Sequence, residues 1–133
     1  MLKKKTKSVE KSLTSKTTMA PVRTDGTNHK PTNQGLKYDT EKPRMELLDP
    51  EWLEEVAWVM TFGAKKYAAN NWRSGISITR LLGAAMRHLL AILRGENTDP
   101  ETGRSHSAHL ACCSMFVFWT LKHRKDMDDR WTG

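Results

Sequence analysis

The sequence predicts a small all-α antiparallel helical bundle, completed by oligomerisation. Three segments repeat apolar residues at helical spacing, and no stretch of useful length alternates as a half-buried strand would. The third segment is apolar nearly all round, which suits a helix buried in the fold or in an interface between copies. A three-helix monomer would leave much of it exposed, so a homodimer or homotetramer is expected. At 133 residues the chain can bury one core and has no room for two domains.

Residues 1–33 come first, rich in Lys, Ser and Thr and without an aromatic residue. They offer too little apolar surface to offset ordering entropy, so a disordered basic N-terminal tail is expected. The net charge is +7. It first suggests nucleic acid or a membrane surface as a partner. Its distribution weakens that suggestion. Of 22 Lys and Arg, the eight in residues 1–30 face only Glu10 and Asp25, which leaves 14 basic against 13 acidic side chains in residues 31–133. The folded part, 34–125, is therefore nearly neutral.

Residues 34–49 read as irregular. Asp49-Pro50 then forms an N-cap followed by proline at the first helical position. The first helix is expected over about Pro50 to Tyr67, with Leu53, Val56, Ala57, Met60 and Ala64 on its apolar face; Gly63 marks close packing or a break. A connection over Ala68 to Ser77 leads to a second helix, about Ile78 to Arg94, capped by Ser77 or Thr79. Its core stripe is Ile78, Leu81, Leu82, Ala85, Leu89 and Ile92, and Gly95 ends it. A polar loop from Gly95 to Ser105 precedes the third helix, about His106 to His123. The charged end, 126–133, is expected to fray.

Cys112 and Cys113 are adjacent, and a disulfide between helix neighbours would be strained. Both read as reduced core residues of a cytoplasmic protein. No apolar stretch reaches the ~18–20 residues needed to span a bilayer. The start lacks the apolar stretch of a secretory signal.

The chemistry concentrates in Arg87-His88, Asp99 and His106-x-x-His109. His106 and His109 share a face at the start of the third helix. Two histidines so placed can chelate one ion, with His88 and Asp99 completing a mixed nitrogen and oxygen set. The alternative is that the imidazoles only cap the helix or bond across the bundle. A bound anion at the helix start is a third option. On the second helix Arg80, Ala84, Arg87, Ala91 and Arg94 form one stripe of three cations separated by small residues. Guanidinium groups so spaced grip phosphate or carboxylate, or simply form a solvated face. Glu51, Glu54 and Glu55 on the first helix could bind Mg²⁺ or complement the helix dipole. Glu96-x-x-Asp99 repeats the carboxylate pair in the loop. Lys37, Asp39, Lys42 and Arg44 could clamp a polyphosphate. Lys65, Lys66 and Tyr67 close the first helix. Asn71 and Trp72 could supply base-edge hydrogen bonds and stacking.

The run Gly35-Leu36-Lys37-Tyr38-Asp39-x-x-Lys42-Pro43-Arg44, then Phe62-Gly63-Ala64-Lys65-Lys66-Tyr67, Asn71-Trp72, Arg87-His88 and Gly95-Glu96-x-x-Asp99-x-Glu101-x-Gly103-x-x-His106-x-x-His109 resembles the phage-type dATP/dGTP diphosphohydrolase domain. That family includes the MazZ-like enzymes, related to the MazG-type all-α nucleotide pyrophosphohydrolases. The resemblance covers about residues 34–121. It implies a MazG-like fold and metal-dependent hydrolysis of a purine deoxynucleoside triphosphate (dGTP or dATP) to the monophosphate and pyrophosphate, in the host cytoplasm. In a phage with modified-purine DNA, such hydrolysis would feed synthesis of the modified nucleotide.

One departure stands out. MazG-type enzymes place E-x-x-E and E-x-x-D on successive helices as a Mg²⁺ cage. Here Glu96-x-x-Asp99 lies in a loop, and histidines open the third helix instead. Histidine ligands favour Mn²⁺, Co²⁺ or Zn²⁺ over Mg²⁺. On this reading Glu54, Glu55 and Arg87 are catalytic, and His88, Glu96, Asp99, His106 and His109 hold the metal. Lys37, Asp39, Lys42, Arg44, Lys66, Asn71, Trp72 and Arg80 bind substrate. The competing reading is a small helical phage protein that grips nucleic acid or a host protein through its basic tail.

Overall fold

The computed structural model describes residues 36–133; the tail expected over 1–33 lies outside the described residues. Two units divide between Glu41 and Lys42. In the first, Lys37 pairs with Asp39 at 3.2 Å on an exposed stretch. The second, Lys42–Gly133, carries three α-helices: α1 (Pro50–Lys66), α2 (Ile78–Leu93) and α3 (His106–His123). No strand occurs among the described residues; one isolated bridge joins Thr98 to Ser105. No described helix is long and apolar enough to cross a membrane.

Each helix begins where local chemistry favours it. Asp49 accepts a hydrogen bond from the Trp52 amide at 3.0 Å, and Pro50 follows at the first position. Lys65 and Lys66 sit in the last turn of α1, where positive charge complements the helix dipole. The helix runs unbroken through Gly63, and a Cβ there would touch nothing. Ser77 occupies the cap position of α2 without capping it through its side chain. The carboxylate of Asp129 supplies the missing acceptor, at 2.9 Å from the Thr79 amide and also bonded to the Thr79 hydroxyl. The segment expected to fray is thus tied by Asp129 to the start of α2. Arg124 adds a second tie, donating to the Ser74 carbonyl at 2.7 Å. Gly95 closes α2 in the left-handed region (φ +88°) that glycine enters without steric cost.

The central helix is α3. It packs on α1 and, more extensively, on α2. Part of its apolar surface therefore serves two neighbours within one chain, while Met115 and Phe118 stay exposed. Val59, Ala108 and Cys112 form a buried cluster, with Val56, Met60 and Phe116 against it. Burial of Val59 alone contributes roughly 1.5–3 kcal/mol. Of the expected α1 face, Val56 and Met60 pack against the cluster and Ala64 is half-buried, while Leu53 and Ala57 are exposed and Val59 is the residue that enters the core. On α2, Ile78 and Leu81 are buried as expected, but Leu82 and Leu89 are not. Cys112 and Cys113 are free and buried.

Candidate active site

The loop between α2 and α3 is fixed by its own backbone. Asp99 donates its amide to the Arg104 carbonyl and receives the Gly103 amide, each at 2.8 Å, and the His106 amide reaches the Asn97 carbonyl at 2.9 Å. Glu55 of α1 fastens the loop from outside. Its carboxylate takes the Arg104 guanidinium at 2.9 Å and the Ser105 amide at 3.2 Å. Those bonds hold the Glu55 carboxyl below the usual carboxylate range, the Ser105 amide contributing most. Ser105 then caps α3 through its hydroxyl.

This loop brings Asp99 against His88 of α2 and His106 of α3. One ligand atom from each of the three lies within 4.8 Å of the others, a group able to hold a metal ion. The Nδ1 atoms of His88 and His106 are 2.9 Å apart, so one donates to the other when both rings are neutral. His106 is buried, at 5% exposure. Its Nε2 lies 3.2 Å from Glu96 Oε1 yet out of line for a hydrogen bond, which leaves it unpartnered. A buried unpartnered ring nitrogen beside a carboxylate and a second imidazole is what a divalent ion would satisfy. Burial, reinforced by the neighbouring imidazoles, pushes the His88 pKa below its ordinary value. A neutral imidazole is the form that ligates.

His109 is held differently. Its ring stacks on His88 with centroids 4.5 Å apart, and its Nε2 meets the Thr102 hydroxyl at 2.8 Å. That hydroxyl also contacts Asp99 Oδ2 at 2.9 Å and receives the Arg104 amide at 3.2 Å. An ionised Asp99 can only accept, so Thr102 donates to it. His109 must then donate through Nε2–H. Asp99 also takes the Thr102 amide at 3.0 Å. Burial alone would raise its pKa, but the Thr102 bonds and the imidazoles outweigh that and lower it. The ring of His109, also shifted down by burial, stands beside the three-residue group, joined to it through Thr102.

From His109 a cleft of about 470 Å³ extends between α1, α3 and the 68–76 connection. Its floor is apolar, with Val59, Met60, Phe62 and Phe116; Lys66, Asn71, Arg80, Glu101 and Thr102 supply polar groups. Lys66 is bound to Glu101. Trp72 lines the cleft, but its ring is stacked on Phe116 (4.8 Å) and edge-on to Trp119 (5.1 Å). Its stacking capacity is used inside the protein. A neighbouring groove carries Arg80 again, with Arg87, Gly83 and Ala84.

Of the expected site residues, the structure thus gathers His88, Asp99 and His106, with Glu96 and His109 in contact with them. It places Lys66, Asn71, Trp72 and Arg80 along the adjoining cleft and Arg87 on the next groove. Glu54 is exposed on α1, Lys42 is exposed, and Arg44 pairs with Glu46 at 2.7 Å. None of these three lines the cleft. Thr102 and Glu101 escaped the sequence reading of the site. The spacing Asp99-x-x-Thr102, which suits a local side-chain turn, is the signal that could have found Thr102.

Comparison with known proteins agrees with this picture. Residues 32–130 match the family model described as dATP/dGTP diphosphohydrolase, N-terminal. A dATP/dGTP diphosphohydrolase of Salmonella phage PMBT28 is 45% identical over 96 residues, covering 72% of this chain. The aligned part is 33% of the relative, so the chain spans about a third of that protein's length. No solved structure matches. With nearly its whole described length inside the match, the chain belongs to the dATP/dGTP diphosphohydrolase N-terminal family.

Proposed function

We propose that this domain binds a purine deoxynucleoside triphosphate in the cleft and cleaves it to the monophosphate and pyrophosphate at the histidine–aspartate cluster, with dGTP and dATP as substrates. The observation that carries the reading is contiguity. His109 lines the cleft and stacks on His88 of the ligand group, so phosphates lying along Lys66 and Arg80 lead to the imidazoles. The Salmonella phage relative, a dATP/dGTP diphosphohydrolase, supports the choice of substrate.

His88, Asp99 and His106 would hold a divalent ion, with Glu96 beside them; two imidazoles and a carboxylate suit Mn²⁺, Co²⁺ or Zn²⁺ better than Mg²⁺. When bound, such an ion polarises a phosphoryl oxygen and acidifies a water. The chain's own groups do the rest. Lys66 and Arg80 neutralise the phosphates, and Arg87 the departing pyrophosphate. Water adds to the α-phosphorus, the bond from that phosphorus to the bridging oxygen breaks, and pyrophosphate leaves. Glu96 receives the proton of the water. The apolar floor takes the base, and the Asn71 amide reads its edge. The product would feed modified-purine nucleotide synthesis in a phage host.

A second reading is binding without turnover. It is favoured by Glu55, whose two oxygens are each engaged, by Arg104 and by Ser105, and which does not line the cleft. One assay separates the two. The chain is incubated with each deoxynucleoside triphosphate and with Mg²⁺, Mn²⁺, Co²⁺ or Zn²⁺, and monophosphate and pyrophosphate are measured. Release of both, lost in Asp99→Ala, supports hydrolysis. Protection of the folded chain by nucleotide without release under any ion overturns hydrolysis and leaves binding.

A further inference from the structure

The groove beside the cleft has a volume of about 470 Å³ and runs along α2. Arg80, Gly83, Ala84 and Arg87 line it, flanked by Tyr67 and Thr79. Arg80, Ala84 and Arg87 stand at i, i+4 and i+7, on one face of the helix. Helical side chains lean towards the N-terminus of their helix. Arg87 does so here: a Cβ placed on Gly83 would lie 3.5 Å from Arg87 Nη1. The Arg87 guanidinium is thus carried back over Gly83, which follows Arg80 by about 4.5 Å along the axis. Glycine and alanine between the two arginines leave that space open. The charge there is one-sided. Among the described residues neither Arg80 nor Arg87 forms an ion pair. None of the residues lining the groove is acidic, whereas in the cleft Glu101 occupies Lys66. Asp129 is bonded to the Thr79 amide and hydroxyl, so a carboxylate closes the end of the groove at the start of α2. The stretch from Arg80 to Arg87 is left to the two cations.

We infer that this groove is an anion site of its own, separate from the cleft, and that it takes inorganic pyrophosphate or a similar linear polyphosphate. Each guanidinium presents a fork that matches one phosphoryl group. Two forks on one helix face therefore suit an anion with two linked charged groups better than a single phosphate. No amide side chain lines the groove to read a base, as Asn71 could in the cleft. Arg80 and Tyr67 line both hollows, while Ala84 and Arg87 line the groove and not the cleft. The site is defined by binding and is independent of the hydrolytic reading, which supplies only a nearby source: pyrophosphate released in the cleft beside Arg80.

The test is calorimetric titration of the full chain with inorganic pyrophosphate in chelator-treated buffer. The wild type is expected to bind it. Ala84→Glu sets a carboxylate at helical spacing from both arginines, where it pairs with them internally. This variant, with its helical circular dichroism intact, is expected to bind pyrophosphate at least about tenfold more weakly, the scale of losing hydrogen bonds to a charged group. Lys66→Ala removes a cation of the cleft and is expected to leave pyrophosphate affinity unchanged. Should Ala84→Glu not fold, Arg87→Gln, at an exposed position, is expected to show the same loss. A wild type that does not bind pyrophosphate overturns the inference. So does a folded Ala84→Glu or Arg87→Gln chain with wild-type affinity, or an equal loss in Lys66→Ala, which would place the anion in the cleft. Turnover is read separately: a chain that binds pyrophosphate in this pattern yet hydrolyses no nucleotide under any ion keeps the anion site and loses the hydrolytic reading.

Discussion

Glu55 and Asp99 are both partly buried carboxylates that accept a backbone amide near the start of α3, yet their surroundings differ. Glu55 adds an arginine and holds a loop down. Asp99 adds a hydroxyl and faces three imidazoles, one of which has an unpartnered buried nitrogen. A carboxylate with both oxygens held by fixed donors, as in Glu55, is a fastener. One that keeps a direction open towards other ligand atoms can take a metal.

The comparison breaks first at the cluster. Asp99→Ala with His106→Ala should reduce divalent-ion affinity by more than about 100-fold, beyond the usual effect of losing an outer-sphere partner. Calorimetric titration with Mn²⁺ or Zn²⁺ checks it; unchanged affinity would remove the metal site. Next comes Thr102. Thr102→Ala frees His109 and Asp99 from one another and should weaken ion affinity by roughly 10–100-fold, with Thr102→Ser restoring most of it. Failure of serine to rescue would show that the hydroxyl is not what positions the pair.

Glu55 should answer in stability rather than in ion binding. The Ser105 amide and the Arg104 guanidinium hold its folded-state pKa below the usual carboxylate range. Its contribution is therefore present above the unfolded-state pKa and lost as pH falls through the folded value. Wild-type helicity should decline on acidification below about pH 4.5, and Glu55→Gln should show a lower melting temperature at pH 7 with a flatter acid limb. An equal acid limb in the variant would remove the fastener role. The smallest effect belongs to Glu54→Gln, exposed and without a partner, for which melting temperature and ion affinity should both stay at wild-type values.

The helix ends were legible because their causes are local. Asp49-Pro50 and Gly95 each specify a boundary within a turn, and His106 to His123 matches the observed α3. The clustering of His88, Asp99 and His106 was legible too, because one short loop forces them together. The facing of α1 was legible only in part, through Val56 and Met60. Leu53 and Ala57 fit the expected stripe, but α3 offers an apolar wall at many angles, so periodicity alone does not say which face docks. The tie from Asp129 to Thr79 spans 50 residues and leaves no periodic trace. Thr102 was hidden for another reason: a single hydroxyl looks the same in sequence whether it meets water or joins Asp99 to His109.

Trp72 has a consequence for distance. By stacking on Phe116 it fastens the 71–74 turn to α3, the helix that also carries His109. Seven residues separate His109 from Phe116, which is about 10 Å along a helix axis. α3 is thus a ruler with two marks: the imidazole of His109, and the turn carrying Asn71 that Trp72 fastens against Phe116. Because the two marks share one rigid rod, the span between them is set by the fold alone.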